Sequence, residues 1–166
     1  MKTIYLLRHA HADPAPNAAT DDHDRTLSAR GEREAENLGA FMKDQKLVPD
    51  AMFCSTSTRT RETARIAFRQ LFGDRAPVAT RFDRLFYLAA PESIIEEIET
   101  ADNRYNTLLV VGHNPGLEDM AELLARAGGQ EIGGFPPCTL AAFTLDIDAW
   151  HNFNPRKAKL KTVFMP

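Results

Sequence analysis

Two histidines stand at matching positions in the sequence, each directly after a run of strand-forming apolar residues. His9 comes after the run at 4–7, and His113 comes after the run at 107–111. Because the carboxyl ends of parallel strands meet at one edge of a sheet, we expect the two imidazoles to face the same crevice. An imidazole in such a crevice can act as a nucleophile or as a base.

Two arginines belong to the same predicted crevice. Arg8 precedes His9 directly, and Arg59 lies in the predicted first turn of the helix after the second strand. Guanidinium groups donate forked, charge-assisted hydrogen bonds that match the oxygens of a phosphoryl group. The free amides of the helix that follows His113 are expected to add donors and the positive end of a dipole. The pattern therefore predicts a site for a small phosphate-like anion.

The elements that must position these residues alternate between strands and amphipathic helices. Predicted strands cover 4–7, 50–54, 78–82 and 107–111, and predicted helices cover 28–46, 55–72, 91–99 and 114–126. Asn114 and Pro115 are interpreted as the N-cap and the first position of the last helix. Two later strands, 140–147 and 160–164, are expected to be antiparallel or edge strands. This alternation predicts an α/β fold, a three-layer α/β/α sandwich with a mainly parallel central sheet, in a single domain covering 1–166.

The composition excludes several classes of function. The chain has 166 residues, of which 43% are hydrophobic and 26% charged, as is ordinary for a globular protein. A net charge of -3 provides no basic field that would attract nucleic acid or an anionic membrane surface. No stretch approaches the roughly 18 apolar residues of a membrane span, and the first apolar run is too short for a signal peptide. We therefore expect a cytoplasmic protein that binds neither nucleic acid nor membrane.

Four segments, taken in order, resemble the motifs of the histidine phosphatase superfamily, in the branch with an RHG or RHA motif. They are Leu7-Arg8-His9-Ala10, with Ala10 in place of the commoner glycine; 25–31, similar to R-x-L-T-x-x-G; 55–63, similar to S-P-x-x-R-x-x-Q-T; and Gly112-His113-Asn114-Pro115. Each segment alone is a weak signal, but the four in this order span most of residues 3–127. The resemblance implies a fold like that of the phosphoglycerate mutases.

The resemblance also implies a two-step phosphoryl transfer that needs no metal or cofactor. His9 would attack phosphorus and form a phosphohistidine, which water then hydrolyses. Arg8 and Arg59 would hold the phosphoryl oxygens, and His113 would stabilise the developing charge. Arg25 and Asn114 are assigned to substrate binding. The proposed chemistry is consistent with the residues, because neighbouring guanidinium charges disfavour protonation of a nucleophilic imidazole.

Within the superfamily the chain most resembles the SixA-type phosphohistidine phosphatases. The stretch between Arg59 and His113 has room for one strand and one helix, and not for the large helical insertion of the mutases. The open pocket that results suits phosphohistidine in a protein, with a small phosphomonoester as the alternative substrate. Larger members carry a proton-donating Glu in the insertion, for which Glu92 is the nearest candidate here. A protonated phosphoimidazole is already a good leaving group, so a missing acid favours P–N substrates.

Three other interpretations come from the same residues. His9 and His11, with Asp13 and the acidic run 21–24, could bind a divalent metal ion, although Arg8 would then lie beside a cation. A phosphate-binding domain without turnover would keep the pocket but has no need of a nucleophilic imidazole. A cysteine phosphatase is excluded, because neither Arg59 nor Arg61 has the required spacing from Cys54. Outside the metal hypothesis, the run 21–24 is interpreted as a solvated loop, with a role at the mouth of the pocket as the alternative.

Overall fold

A computed structural model describes residues 1–73 and 78–166, and its centre is a six-stranded sheet. The strands are β1 (Lys2–Arg8), β2 (Ala51–Ser55), β3 (Ala79–Asp83), β4 (Thr107–Gly112), β5 (Leu140–Leu145) and β6 (Ala158–Phe164). Their order across the sheet is β3-β2-β4-β1-β5-β6. The first four strands pair in parallel, whereas β5 and β6 pair antiparallel. The predicted parallel core with antiparallel final strands is confirmed.

Four helices cover the two faces of the sheet. They are α1 (Ala29–Asp44), α2 (Thr58–Phe72), α3 (Pro91–Glu99) and α4 (Gly116–Ala127). One buried apolar cluster joins α1 and α2 to one face, and a second joins α3 and α4 to the other. The predicted α/β/α sandwich is therefore confirmed, and a short helical turn is all that lies between β3 and α3 where a large insertion would stand. No helix of the described residues is both long enough and apolar enough to span a membrane.

The strands β1 and β4 lie side by side at the middle of the sheet. In their register Arg8 pairs with Gly112, so both strands end on the same rung. The amide of His9 then donates to the carbonyl oxygen of Gly112 at 3.1 Å. This hydrogen bond ties the start of one histidine-bearing loop to the end of the neighbouring strand.

Two glycines let backbone pack directly against these loops. A Cβ atom at Gly31, in the first turn of α1, would overlap the carbonyl oxygen of His11. A Cβ atom at Gly116, the first residue of α4, would overlap the carbonyl oxygen of Ala89. Each histidine-bearing loop is therefore braced by a contact that only glycine permits.

The starts of the helices agree with the sequence in one case and differ in another. Ser28 caps α1 as predicted, and its hydroxyl accepts the Gly31 amide at 3.0 Å. The prediction that Asn114 caps α4 was wrong, because α4 begins at Gly116 with Pro115 in the N-cap position. The Asn114 side chain makes no capping hydrogen bond and donates to other partners, described below.

Candidate active site

The structure brings His9 and His113 together at the carboxyl edge of the sheet. Their ring centroids lie 5.2 Å apart, with the planes inclined at 55°. His113 is buried, and His9 is half-buried. The expectation that both imidazoles face one crevice is therefore met by the geometry.

The His9 ring has one nitrogen in use. Its Nδ1 lies 2.8 Å from the carbonyl oxygen of Ala10. Because a carbonyl only accepts, Nδ1 carries the proton of the neutral ring and Nε2 carries a lone pair. Within the described residues Nε2 has no hydrogen-bond partner. Burial lowers the pKa of His9 to about 4, and the charges of Arg59 and Arg8 act in the same direction, so the ring is neutral near pH 7.

Both nitrogens of the His113 ring are engaged. Nδ1 lies 3.4 Å from Nη2 of Arg59, and a guanidinium only donates, so Nδ1 accepts. Nε2 therefore carries the proton of the neutral ring and donates to the Ser55 hydroxyl at 2.9 Å. Burial lowers the pKa of His113 to about 3, with further contributions from His9 and Arg59. The lone pair of this ring points at a cation and is not free to attack a substrate.

Arg59 is held by a carboxylate from the loop before α1. Its side chain is buried in the first turn of α2, and its Nη1 and Nη2 donate to the backbone oxygen and to Oδ2 of Asp22. The Tyr87 hydroxyl donates to the same Oδ2 at 2.6 Å, and Nη1 of Arg25 donates to Oδ1 at 2.9 Å. The hydrogen bond from Tyr87, followed by those from Arg25 and Arg59, holds the pKa of Asp22 far below its usual range. Asp22 is therefore ionised and joins three side chains at the rim of the site.

Residues 21, 22 and 24 are exposed, as expected of a solvated loop, and Asp22 also lies at the rim of the site, as in the alternative interpretation of this run. The signal available in the sequence was its spacing, since Asp22 lies three residues before Arg25. Tyr87 was not singled out either, yet its ring packs edge-on against His113 with centroids 5.2 Å apart. Nothing in the local sequence marks Tyr87, because its contacts are with residues far away along the chain.

Arg8 and Asn114 share a backbone acceptor from the last third of the chain. Nη1 of Arg8 and Nδ2 of Asn114 donate to the carbonyl oxygen of Phe135 at 2.9 and 3.0 Å. Nδ2 of Asn114 also donates to Glu118 at 2.8 Å. Nε of Arg8 and Oδ1 of Asn114 are buried without a hydrogen-bond partner among the described residues. Burial lowers the pKa of Arg8, and the charge of Glu118 opposes that change. The sequence beyond residue 130 indicated no role, but Phe135 belongs to this site.

The other residues weighed from the sequence lie further out or are engaged elsewhere. Arg25 is half-buried at the rim, and Glu92 is exposed in the first turn of α3. The His11 ring bonds to the Ser28 hydroxyl at 2.7 Å. Residues 1–73 and 78–166 contain no group of three His, Cys, Asp or Glu side chains placed to hold a metal ion. Burial raises the pKa of the Cys54 thiol to about 12, so it is a buried neutral group.

Curated relatives cover most of the chain. An uncharacterized protein of Mycobacterium tuberculosis is 39% identical over 121 residues, which are 73% of this chain and 72% of the relative. An uncharacterized protein of Mycobacterium leprae is 30% identical over 169 residues, covering 96% of this chain and 99% of the relative. Part of the chain, 71 residues, is also 34% identical to phosphoglycerate mutase 1 of Saccharomyces cerevisiae.

Solved structures and a family model agree on the family. A candidate phosphohistidine phosphatase SixA from Nakamurella multipartitia is 27% identical, with a TM-score of 0.83 over 99% of this chain and 96% of that one. The protein histidine phosphatase SixA complexed with tungstate, at 19% identity, has a TM-score of 0.76 over 97% and 95% of the two chains, which shows the shared fold. The model of the histidine phosphatase superfamily (branch 1) matches residues 4–83. The chain therefore belongs to the histidine phosphatase superfamily, with the phosphoglycerate-mutase-like fold of its SixA-type members.

Proposed function

We propose that the protein is a phosphatase that hydrolyses phosphohistidine in proteins through a covalent phosphohistidine formed on its own His9. One observation carries the proposal. His9 presents a neutral ring with a free Nε2 beside Arg59 and His113, whereas both nitrogens of His113 are engaged. A nucleophilic imidazole needs such a free lone pair at neutral pH.

The reaction has two displacements at phosphorus. In the first, Nε2 of His9 attacks phosphorus, the P–N bond to the substrate imidazole breaks, and that imidazole leaves as a neutral ring because it was protonated beforehand. The phosphorylated His9 ring keeps its Nδ1 proton on the Ala10 carbonyl. In the second, water attacks phosphorus and the P–Nε2 bond breaks. Inorganic phosphate is released, and His9 returns to its starting tautomer.

The cationic side chains stabilise the charge on the transferring group. Arg8 and Arg59 are assigned to the phosphoryl oxygens, with Arg25 and Asn114 as outer substrate-binding residues. His113 contributes an ordered dipole next to His9, since its ring is fixed by Arg59 and Ser55. Preorganised donors of this kind lower the transition-state free energy by about 3 kcal/mol each.

The preference for P–N substrates follows from the ionised state of the carboxyl group at the rim of the site. Asp22 is ionised, so it cannot protonate a leaving group. An alkyl phosphate needs a general acid, whereas a protonated phosphoimidazole leaves without one. The likeness to SixA-type structures and the short connection between β3 and α3 support a substrate on a protein surface. A small phosphomonoester is the second candidate substrate. Independence from metal ions, a cytoplasmic location and a single domain over 1–166 are parts of the same proposal.

The test is to trap the phosphorylated enzyme. We expect wild-type protein, mixed with a protein phosphorylated on histidine and quenched in alkali, to carry a base-stable and acid-labile phosphoryl label. Phosphate release should be unchanged by EDTA and faster than release from an aryl phosphate. The His9→Asn variant should show neither label nor turnover. Turnover that survives His9→Asn, or that EDTA abolishes, would contradict the proposal and favour a metal site near His9 and His11.

A further inference from the structure

The end of β3 and the segment that follows it, residues 82–88, expose a concentration of apolar side chains. Phe82, Leu85 and Leu88 are 49%, 56% and 54% exposed. They are three of the seven exposed large apolar side chains of the described residues, within a stretch of seven positions. Exposed apolar residues scattered singly are normal, but a concentration of them is typical of an interaction surface.

Leu88 has a second unusual property. Its backbone has φ = 50°, in the left-handed region that disfavours side chains other than glycine, asparagine or aspartate. Such a conformation is energetically unfavourable for a leucine. A leucine that is both exposed and in this conformation contributes little to folding. Its presence therefore points to a contact made outside this chain.

This segment is fixed to the rim of the active site. Phe86 is buried, with its ring centroid 5.8 Å from that of Phe53. Tyr87 packs edge-on against His113 and donates to Asp22. The close approach of the Ala89 carbonyl to Gly116 joins the segment to the helix that follows His113. A molecule that contacts Leu85 and Leu88 is therefore held at a set position relative to the reacting groups.

Two cationic side chains lie beside these apolar side chains. The guanidinium of Arg61 lies 5.3 Å from the Phe82 ring centroid, and that of Arg84 lies 5.7 Å from the Tyr87 centroid. In the part of the chain that the structure describes, neither arginine pairs with a carboxylate. The neighbouring Arg81, by contrast, is neutralised by Asp83 and Glu97.

We propose that these side chains form a docking surface for the protein that carries the phosphohistidine. The docking surface consists of Arg61, Phe82, Arg84, Leu85 and Leu88. Its partner is a protein whose phosphorylated histidine is bordered by apolar and acidic side chains, because these complement leucine and unpaired arginine. The inference rests on the proposed function and names the kind of protein substrate. A few exposed apolar anchors are sufficient for a transient enzyme–substrate contact.

The test compares two substrates that contain the same reacting P–N bond. Free phosphohistidine offers only the P–N bond, whereas an acidic phosphotransfer domain phosphorylated on histidine offers the same bond and a surface. The double variant Leu85→Ser/Leu88→Asn is expected to lower kcat/KM for the domain by about 10- to 100-fold, as for loss of interface anchors. The kcat/KM for free phosphohistidine should stay within about twofold, as expected of substitutions outside the binding contacts. Asparagine is chosen at 88 because it tolerates a positive φ.

A matched control is Leu123→Ser on α4, where another exposed leucine, 44% accessible, lies outside the docking surface. Both kcat/KM values should stay at the wild-type level in this variant. The double variant Arg61→Glu/Arg84→Glu should also lower kcat/KM for the domain and reverse its dependence on salt concentration.

The outcomes separate the two proposals. If the wild type hydrolyses the phosphorylated domain and Leu85→Ser/Leu88→Asn does so equally well, the docking surface is wrong and the proposed function stands. If the wild type hydrolyses neither phosphohistidine substrate, the proposed function fails, and the docking surface that rests on it fails as well.

Discussion

The carboxyl ends of β1 and β4 lie on the same rung of the sheet, yet the histidines that follow them have different surroundings. One ring nitrogen of His9 donates a hydrogen bond to the carbonyl oxygen of the next residue, and the other nitrogen has no partner among the described residues. His113 is bonded on both sides, to Arg59 and to Ser55. One strand end therefore offers a reactive nitrogen, and the other offers a rigid, oriented ring. The difference lies in the hydrogen-bond partners and not in the residue type.

The largest expected effect is on kcat, and it should differ between substitutions of the two histidines. With an aryl phosphate as substrate, His9→Asn should lower kcat by at least about 10⁴-fold, because no nucleophile remains. His113→Asn should lower kcat by about 10²- to 10³-fold, as for a lost preorganised group that stabilises the transition state, and should still form the phosphorylated enzyme. Steady-state kinetics and alkaline quench measure both effects. If His113→Asn lost the label and His9→Asn kept it, the assignment of the two rings would be reversed.

The next effect tests whether both loops depend on their glycine contacts. Gly31→Ala and Gly116→Ala should each destabilise the fold by about 1–3 kcal/mol, because the new Cβ overlaps a carbonyl oxygen. The midpoints of thermal and urea unfolding measure this change. Gly112→Ala is the control, since its Cβ would make ordinary contacts at 3.5 Å beside His113. A wild-type midpoint for either of the first two variants would show that the loop can move away.

A smaller effect is expected at the rim, where Asp22 holds Arg59. Asp22→Asn should lower kcat by about 10-fold, because the guanidinium loses the partner that orients it. The same variant should bind inorganic phosphate more tightly, since a negative charge is removed and a donor is released. Asp24→Asn is the matched control, because the Asp24 side chain is 69% exposed and contacts His23 rather than Arg59. If kcat and the inhibition constant of phosphate were both unchanged, Asp22 would have no positioning role.

The last effect concerns pH. The pKa of His9 is lowered to about 4 in the folded protein, compared with about 6.5 in an unfolded chain. Between these values the unfolded state binds a proton that the folded state does not, so the stability contributed by His9 is complete above about pH 6.5 and is lost as the pH falls towards 4. Imidazole NMR should find His9 neutral at pH 5.5. Urea unfolding of His9→Asn should depend less on pH between 7 and 5 than that of wild type. A His9 midpoint near 6.5 would contradict the structure.

The sequence by itself determined the strands, the helices and the approach of His9, His113 and Arg59 to one edge of the sheet. Short apolar runs bounded by polar residues predicted six strands, and amphipathic segments predicted the four helices that cover them. Each histidine comes just after a predicted strand, which the local sequence shows. Because the carboxyl ends of parallel strands lie at the same edge of a sheet, this was enough to predict that His9 and His113 lie in one crevice. Arg59 was predicted in the first turn of α2, where the structure has it.

Only the tertiary structure decided how those residues are bonded. Asp22 accepts hydrogen bonds from Arg59 and Tyr87, and the Phe135 carbonyl accepts one from Arg8. These partners are far apart in the sequence, so no local hydrophobic pattern predicts the contacts. Asn114 has the residue type of a helix cap, but Glu118 and the Phe135 carbonyl take its amide hydrogens. The tautomers of the two histidines depend on such partners as well. Local patterns specify elements because they act over a few residues, whereas hydrogen bonds between distant segments form only once the elements have packed.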